Sequence, residues 1–145
     1  MYHPWRHFRS FAHWDLAWAH LPVSIVGLTD FGHERVTLDP RQTHAERRST
    51  IAHEVAHIER GPAPRGWWWQ QREEAVVDQL AARRLIGIRD LGEALAWSTD
   101  AHEVADELWV DVPTLEARLR HLHPSDRHYL RRRLAHQGDE AHAHS

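Results

Sequence analysis

The stretch from Thr43 to Gly61, THAERRSTIAHEVAHIERG, is a helix with marked ends. Thr43-x-x-Glu46 is a capping-box pattern, in which each side chain satisfies a backbone N–H that the first turn leaves free. Gly61-Pro62 stops the helix. Its second half carries His53, Glu54, Val55, Ala56 and His57. Helical positions four apart lie about 40° from each other, so His53 and His57 project toward a common point. Ile51, Val55 and Ile58 form an apolar stripe on a different face, which serves the core without the histidines. Glu54 sits between the two faces.

A His-Glu-x-x-His pattern in a chain with 15 histidines needs support from elsewhere. Residues 101–105 repeat Ala-His-Glu-Val-Ala and then continue with Asp106, so a helix-forming composition produces near-copies by itself. Support comes from a second helix, expected from about Gln70 to Ile86 and ended by Gly87. In it Glu74 and Asp78 lie four apart, on the face that also carries Ala81 and Leu85. A carboxylate pair beside an apolar face wants a partner. Two histidines and one carboxylate, with a fourth position open, make a known ligand set for a hydrolytic zinc ion. His53, His57 and Glu74 supply that set for one zinc per chain. Asp78, one turn on, is placed to accept the second ring N–H of a ligating histidine and fix its tautomer; the competing reading is an ion pair with a neighbouring arginine. Glu73 is the rival third ligand, but it points about 100° away from Glu74 and no acid follows it four positions on. Glu54 is the candidate catalytic base, taking a proton from the water that attacks a carbonyl. The competing reading of His53, Glu54 and His57 is an exposed polar helix face.

Composition narrows the chemistry. The chain has no cysteine, which removes disulfides, thiolate ligands and a cysteine nucleophile, and leaves only nitrogen and oxygen to hold a metal. A formal charge of −3 gives no overall basic field for nucleic acid. The length of 145 residues and hydrophobic fraction of 41% suit one main folded domain. No stretch reaches the apolar length of a membrane span, and the first twenty residues lack the pattern of a secretory signal, so a cytoplasmic location is expected.

The expected fold class is α+β. Strand signals lie in WDLAWAHLPVSIVGL and ERVTLD, with turn residues TDFGHE between, and predict a small N-terminal sheet ahead of the His-Glu-x-x-His helix. The segment GPAPRGWWWQQ reads as a loop, and its Trp67–Trp69 either line a substrate groove or pack on the core. From Asp90 onward the pattern is one of short helices, with Pro113 and Pro124 in first turns. This divides the chain into a core over residues 1–97, a C-terminal helical subdomain over 98–136, and a polar, His-rich, disordered tail over 137–145. Within the subdomain, Val104, Ala105 and Leu108, a VDVP turn, then Leu115 and Leu119 have the form of a helix-turn-helix. Glu116, Arg118 and Arg120 on its second helix, and the arginines after it, supply local charge that can meet phosphates. The competing reading is a helical unit that covers the core or docks the substrate.

HAERRSTIAHEVAHIERG followed by EEAVVDQLAARRLI resembles the ImmA/IrrE family of metallopeptidases, notably its short actinobacterial and phage forms. The likeness covers roughly residues 36 to 97, and more loosely 14 to 135. It implies a zincin-like fold, with an active-site helix beneath a small sheet whose edge strand aligns the substrate. It also implies that His53, His57 and Glu74 bind zinc and that Glu54 is the base. By the same analogy the substrate is a helix-turn-helix repressor, of the kind that controls phage immunity. Two features depart from the family pattern: GIRDLGEALAW follows the second helix where many relatives have an early proline, and no residue to stabilise an oxyanion can be assigned. Two other classes of function compete. One is a DNA-binding or partner-binding regulator with a non-catalytic metallopeptidase-like domain; the other is metal storage by the many histidines.

Overall fold

Thr43 Oγ1 accepts the Glu46 N–H at 3.2 Å, and Glu46 Oε1 accepts the Thr43 N–H at 3.2 Å. From this box helix α2 (His44–Arg60) runs to its C-cap at Gly61. A computed structural model describes residues 1–143, with side chains to residue 135. Among the described residues the fold is α+β, with seven helices and one three-stranded sheet. Helix α1 (Pro4–Arg9) and strands β1 (Asp15–Trp18), β2 (Gly27–Asp30) and β3 (Arg35–Leu38) precede α2. The helices after it are α3 (Trp67–Leu85), α4 (Ile88–Trp97), α5 (Ala101–Leu108), α6 (Val112–Arg120) and α7 (Pro124–Ala143).

The sheet order is β1-β3-β2, with β1 parallel and β2 antiparallel to β3. β3 alternates inward Val36 and Leu38, both fully buried, with more exposed Arg35 and Thr37. β2 takes in Thr29 and Asp30, two residues assigned above to the turn. The turn is closed instead by Asp30, whose Oδ1 accepts the His33 N–H at 3.2 Å.

α2 is buried on two sides. Ile51 and Val55 pack with Val36, Leu38 and Phe8 on the sheet side. Ala52 joins the larger cluster that holds Ala81, Leu85, Ile86, Leu91, Val104, Leu115 and Leu130. Each large side chain fully buried in these layers stabilises the fold by about 1.5–3 kcal/mol. The second cluster draws on α3 through α7, so the C-terminal helices share their core with α3 and α4.

Three helices also differ from expectation. α1 had no counterpart in the reading of the sequence, although Pro4 stands in its first turn and Trp5 and Phe8 lie one turn apart. α3 begins at Trp67 rather than Gln70. Gly66, with φ 119°, turns the chain, and past Pro64 no residue prevents the helix from starting. α7 runs as helix through Ala143, over residues 137–143 expected as an irregular tail. Those residues contain no proline, and an established helix adds residues at little cost. Residues 144–145 of that tail lie outside the described residues. No described helix is long and apolar enough to cross a membrane.

Candidate metal centre

α2 and α3 pack side by side and present the expected residues to one another. His53 Nε2 lies 3.2 Å from His57 Nε2. Glu74 reaches both rings across the helix pair, with Oε2 3.0 Å from His53 Nε2 and Oε1 2.8 Å from His57 Nε2. One ligand atom from each of the three residues lies within 4.8 Å of the other two. Asp78 Oδ1 stands 2.9 Å from His53 Nδ1, behind the ring. Glu73, the rival of Glu74, turns away from the histidines. Its Oε1 accepts from Arg60 Nε at 2.5 Å and its Oε2 from Arg60 Nη2 at 3.1 Å.

The donor set fits a zinc ion. Ligand atoms about 2.0–2.1 Å from a tetrahedral ion stand about 3.3 Å from one another. The Nε2 atoms meet that spacing, and each Glu74 oxygen comes within half an ångström of it from one of the two rings. With a zinc ion bound, the Asp78 carboxylate would take the Nδ1–H of His53 and leave the Nε2 lone pair to face the ion.

In the metal-free protein charge holds the cluster together. Burial disfavours the charged ring of His53, but hydrogen bonds to Asp78 and Glu74 and the nearby Glu54 and Glu74 charges outweigh it, holding its pKa up to about 10. Hydrogen bonds from His53 and then His57 hold the Glu74 carboxyl well below the usual carboxylate range.

Glu54 is on α2 beside His53, and only 4% of it is exposed. The Thr29 hydroxyl on β2 donates to Glu54 Oε2. β2 can come this close because residue 27 is glycine. A Cβ there would stand 2.6 Å from Thr50 Cγ2, 3.0 Å from Glu54 Oε1 and 3.2 Å from Leu38 Cδ2. Thr29 and Gly27 were not singled out in the sequence. The available signal was a glycine inside a strand-like run, which often marks close backbone approach.

His53, Glu54, His57, Glu74 and Asp78 all line one open cleft of about 1150 Å³. β2 forms one wall, and α5 and α6 another. Pro113, Glu116, Ala117 and Arg120 of α6 face this cleft. Arg118 is 5% exposed; its Nε donates to the Ile86 carbonyl at 2.8 Å and its Nη1 to Asp126 Oδ2 at 3.2 Å. The second helix of the helix-turn-helix-like pair is thus a wall of the cleft, and one of its two arginines is held inside the fold. Trp67, Trp68 and Trp69 are exposed, which removes packing on the core as their explanation.

Comparison with known proteins returns no match among family models, curated proteins or solved structures.

Proposed function

We propose that the chain is a zinc-dependent endopeptidase with a zincin-like fold. The observation that carries this reading is the convergence of His53, His57 and Glu74 from two helices, with the buried carboxylate of Glu54 next to His53 on the same cleft. A zinc ion held there supplies Lewis acidity toward a peptide carbonyl. The residues of the chain do the rest. Asp78 fixes the tautomer of His53 and holds its ring in place. Glu54, oriented by Thr29, takes a proton from the water that adds to the carbonyl carbon and delivers it to the departing amine nitrogen as the C–N bond breaks. Water is consumed, and a new carboxylate and amine result.

The motif pair on α2 and α3 supports, in this reading, a kinship with the ImmA/IrrE metallopeptidases. The substrate then proposed is a helix-turn-helix repressor met in the cytoplasm. The inward Arg118 and the cleft-facing side of α6 favour the peptidase over a DNA-binding regulator.

The test is incubation of the zinc-loaded protein, and of Glu54→Gln, with a panel of purified helix-turn-helix repressors, with products read by mass spectrometry. The wild type is expected to cut at a defined bond. Glu54→Gln should keep its zinc and lose about 10²–10⁴-fold in rate. Cutting by Glu54→Gln at the wild-type rate would remove Glu54 from the chemistry.

A further inference from the structure

Trp67, Trp68 and Trp69 open α3 with 73%, 54% and 48% of their surface exposed. Tryptophan gains more from burial than most residues, so three exposed together ask for a partner. Trp68 and Trp69 partly satisfy each other, edge to face with ring centres 4.5 Å apart, and the Arg72 guanidinium lies 5.4 Å from the Trp68 ring centre. Trp67 makes no ring contact among the described residues.

Helical geometry locates Trp67 relative to the metal centre. Seven residues turn a helix by about 700°, only some 20° short of two full turns, so Trp67 shares a face with Glu74 and Asp78. It stands about 10.5 Å from Glu74 along the helix axis. Asp78, Glu74 and Gln70 line the cleft on that face, and Trp67, one turn before Gln70, extends the row just past the residues that line it. Ile25 and Leu28, just before and within β2, line the cleft with 38% and 46% of their surface exposed. A polypeptide extended along the cleft advances about 3.3 Å per residue, so it spans the distance from Glu74 to Trp67 in about three residues.

We propose that Trp67 is a specificity-determining residue: it receives a large apolar or aromatic side chain of an extended substrate segment, about three residues from the bond that is cut. Arg65 and Arg72 flank the tryptophans in sequence and disfavour a cationic side chain there. This inference rests on the peptidase reading and adds to it the kind of segment recognised.

The test pans a random dodecapeptide phage library against the zinc-loaded full chain carrying Glu54→Gln. The selected peptides are then synthesised, and their affinities measured for Glu54→Gln, Glu54→Gln/Trp67→Ala and Glu54→Gln/Trp67→Phe. Expected are peptides that share a large apolar residue, bind the Trp67→Ala protein at least tenfold more weakly, and bind the Trp67→Phe protein nearly as well as the parent. Failure to enrich any peptide, or equal affinity for the Trp67→Ala protein, overturns the proposal. The same peptides are offered to protein with Glu54 intact. Peptides that bind through Trp67 and are not cut overturn the peptidase reading and leave the aromatic subsite. Peptides cut equally well by wild type and Trp67→Ala overturn the subsite and leave that reading.

Discussion

Thr29 on strand β2 donates its hydroxyl hydrogen to Glu54 on helix α2, tying the sheet edge to the helix that carries both histidines. Thr29→Val keeps the side-chain shape and removes the donor. A hydrogen bond to a charged group contributes about 1.5–3 kcal/mol, so peptide cleavage should fall about 10- to 100-fold. Zinc content should not change, since Thr29 is not among the ligands. An unchanged cleavage rate would show that the hydroxyl does not orient the base.

Gly27 makes that contact possible. Gly27→Ala places a methyl group 2.6 Å from Thr50 Cγ2, and the strand or the α2 side chains facing it must shift to admit it. Overpacking of this kind costs about 1–3 kcal/mol. Urea unfolding should show a lower midpoint with an unchanged slope, and activity should fall as Thr29 shifts away from Glu54. A midpoint equal to that of the wild type would mean that the gap between strand and helix admits a methyl group.

The charges on the metal-free cluster make its stability depend on pH in a definite direction. His53 has a raised pKa, so its contribution is complete below the unfolded histidine value of about 6.5 and is lost as pH rises toward about 10. Glu74 has a lowered pKa, so its contribution is present above the unfolded value of about 4.3 and is lost as pH falls below it. The unfolding midpoint of the metal-free protein should therefore decline from pH 6.5 to 10. Asp78→Asn, which removes a hydrogen bond that raises the His53 value, should flatten that decline. Equal slopes for the two proteins would separate Asp78 from His53.

Glu73 and Glu74 are neighbours in sequence with different tasks. Glu73→Gln breaks the pair with Arg60, an exposed contact of the kind that contributes at most about 1 kcal/mol, and metal should stay bound. Glu74→Gln removes the carboxylate shared by the two histidines, and zinc affinity should drop by orders of magnitude. Calorimetric titration of zinc into the metal-free proteins distinguishes them, and similar losses in both variants would mean that the wrong glutamate has been assigned.

The features readable from sequence were those set by local spacing. The capping box on Thr43 and Glu46, the stop at Gly61, and the shared faces of His53 with His57 and of Glu74 with Asp78 follow from helical geometry within one element. Features that depend on contacts between distant segments were not readable. Nothing local says that β1 pairs with β3 rather than with β2, its neighbour in sequence. Arg118 reads as a surface charge until Ile86, from the link between α3 and α4, and Asp126, from α7, are brought beside it. The start of α3 is not legible, because a proline-rich loop and three tryptophans look irregular, while the turn that frees the helix lies in Gly66 alone. α1 is equally hard to read, because six residues carry little periodicity.

The most direct measurement is the metal content of the protein, purified without a histidine tag and with residues 137–145 removed so that the His-rich end adds nothing. Wild type, His57→Ala, Glu74→Ala and Glu73→Ala would be compared by elemental analysis. A zinc centre built on His53, His57 and Glu74 gives one zinc per chain in wild type and Glu73→Ala, and none in the other two. A wild type without tightly held zinc, or a His57→Ala protein that keeps it, would contradict the assignment.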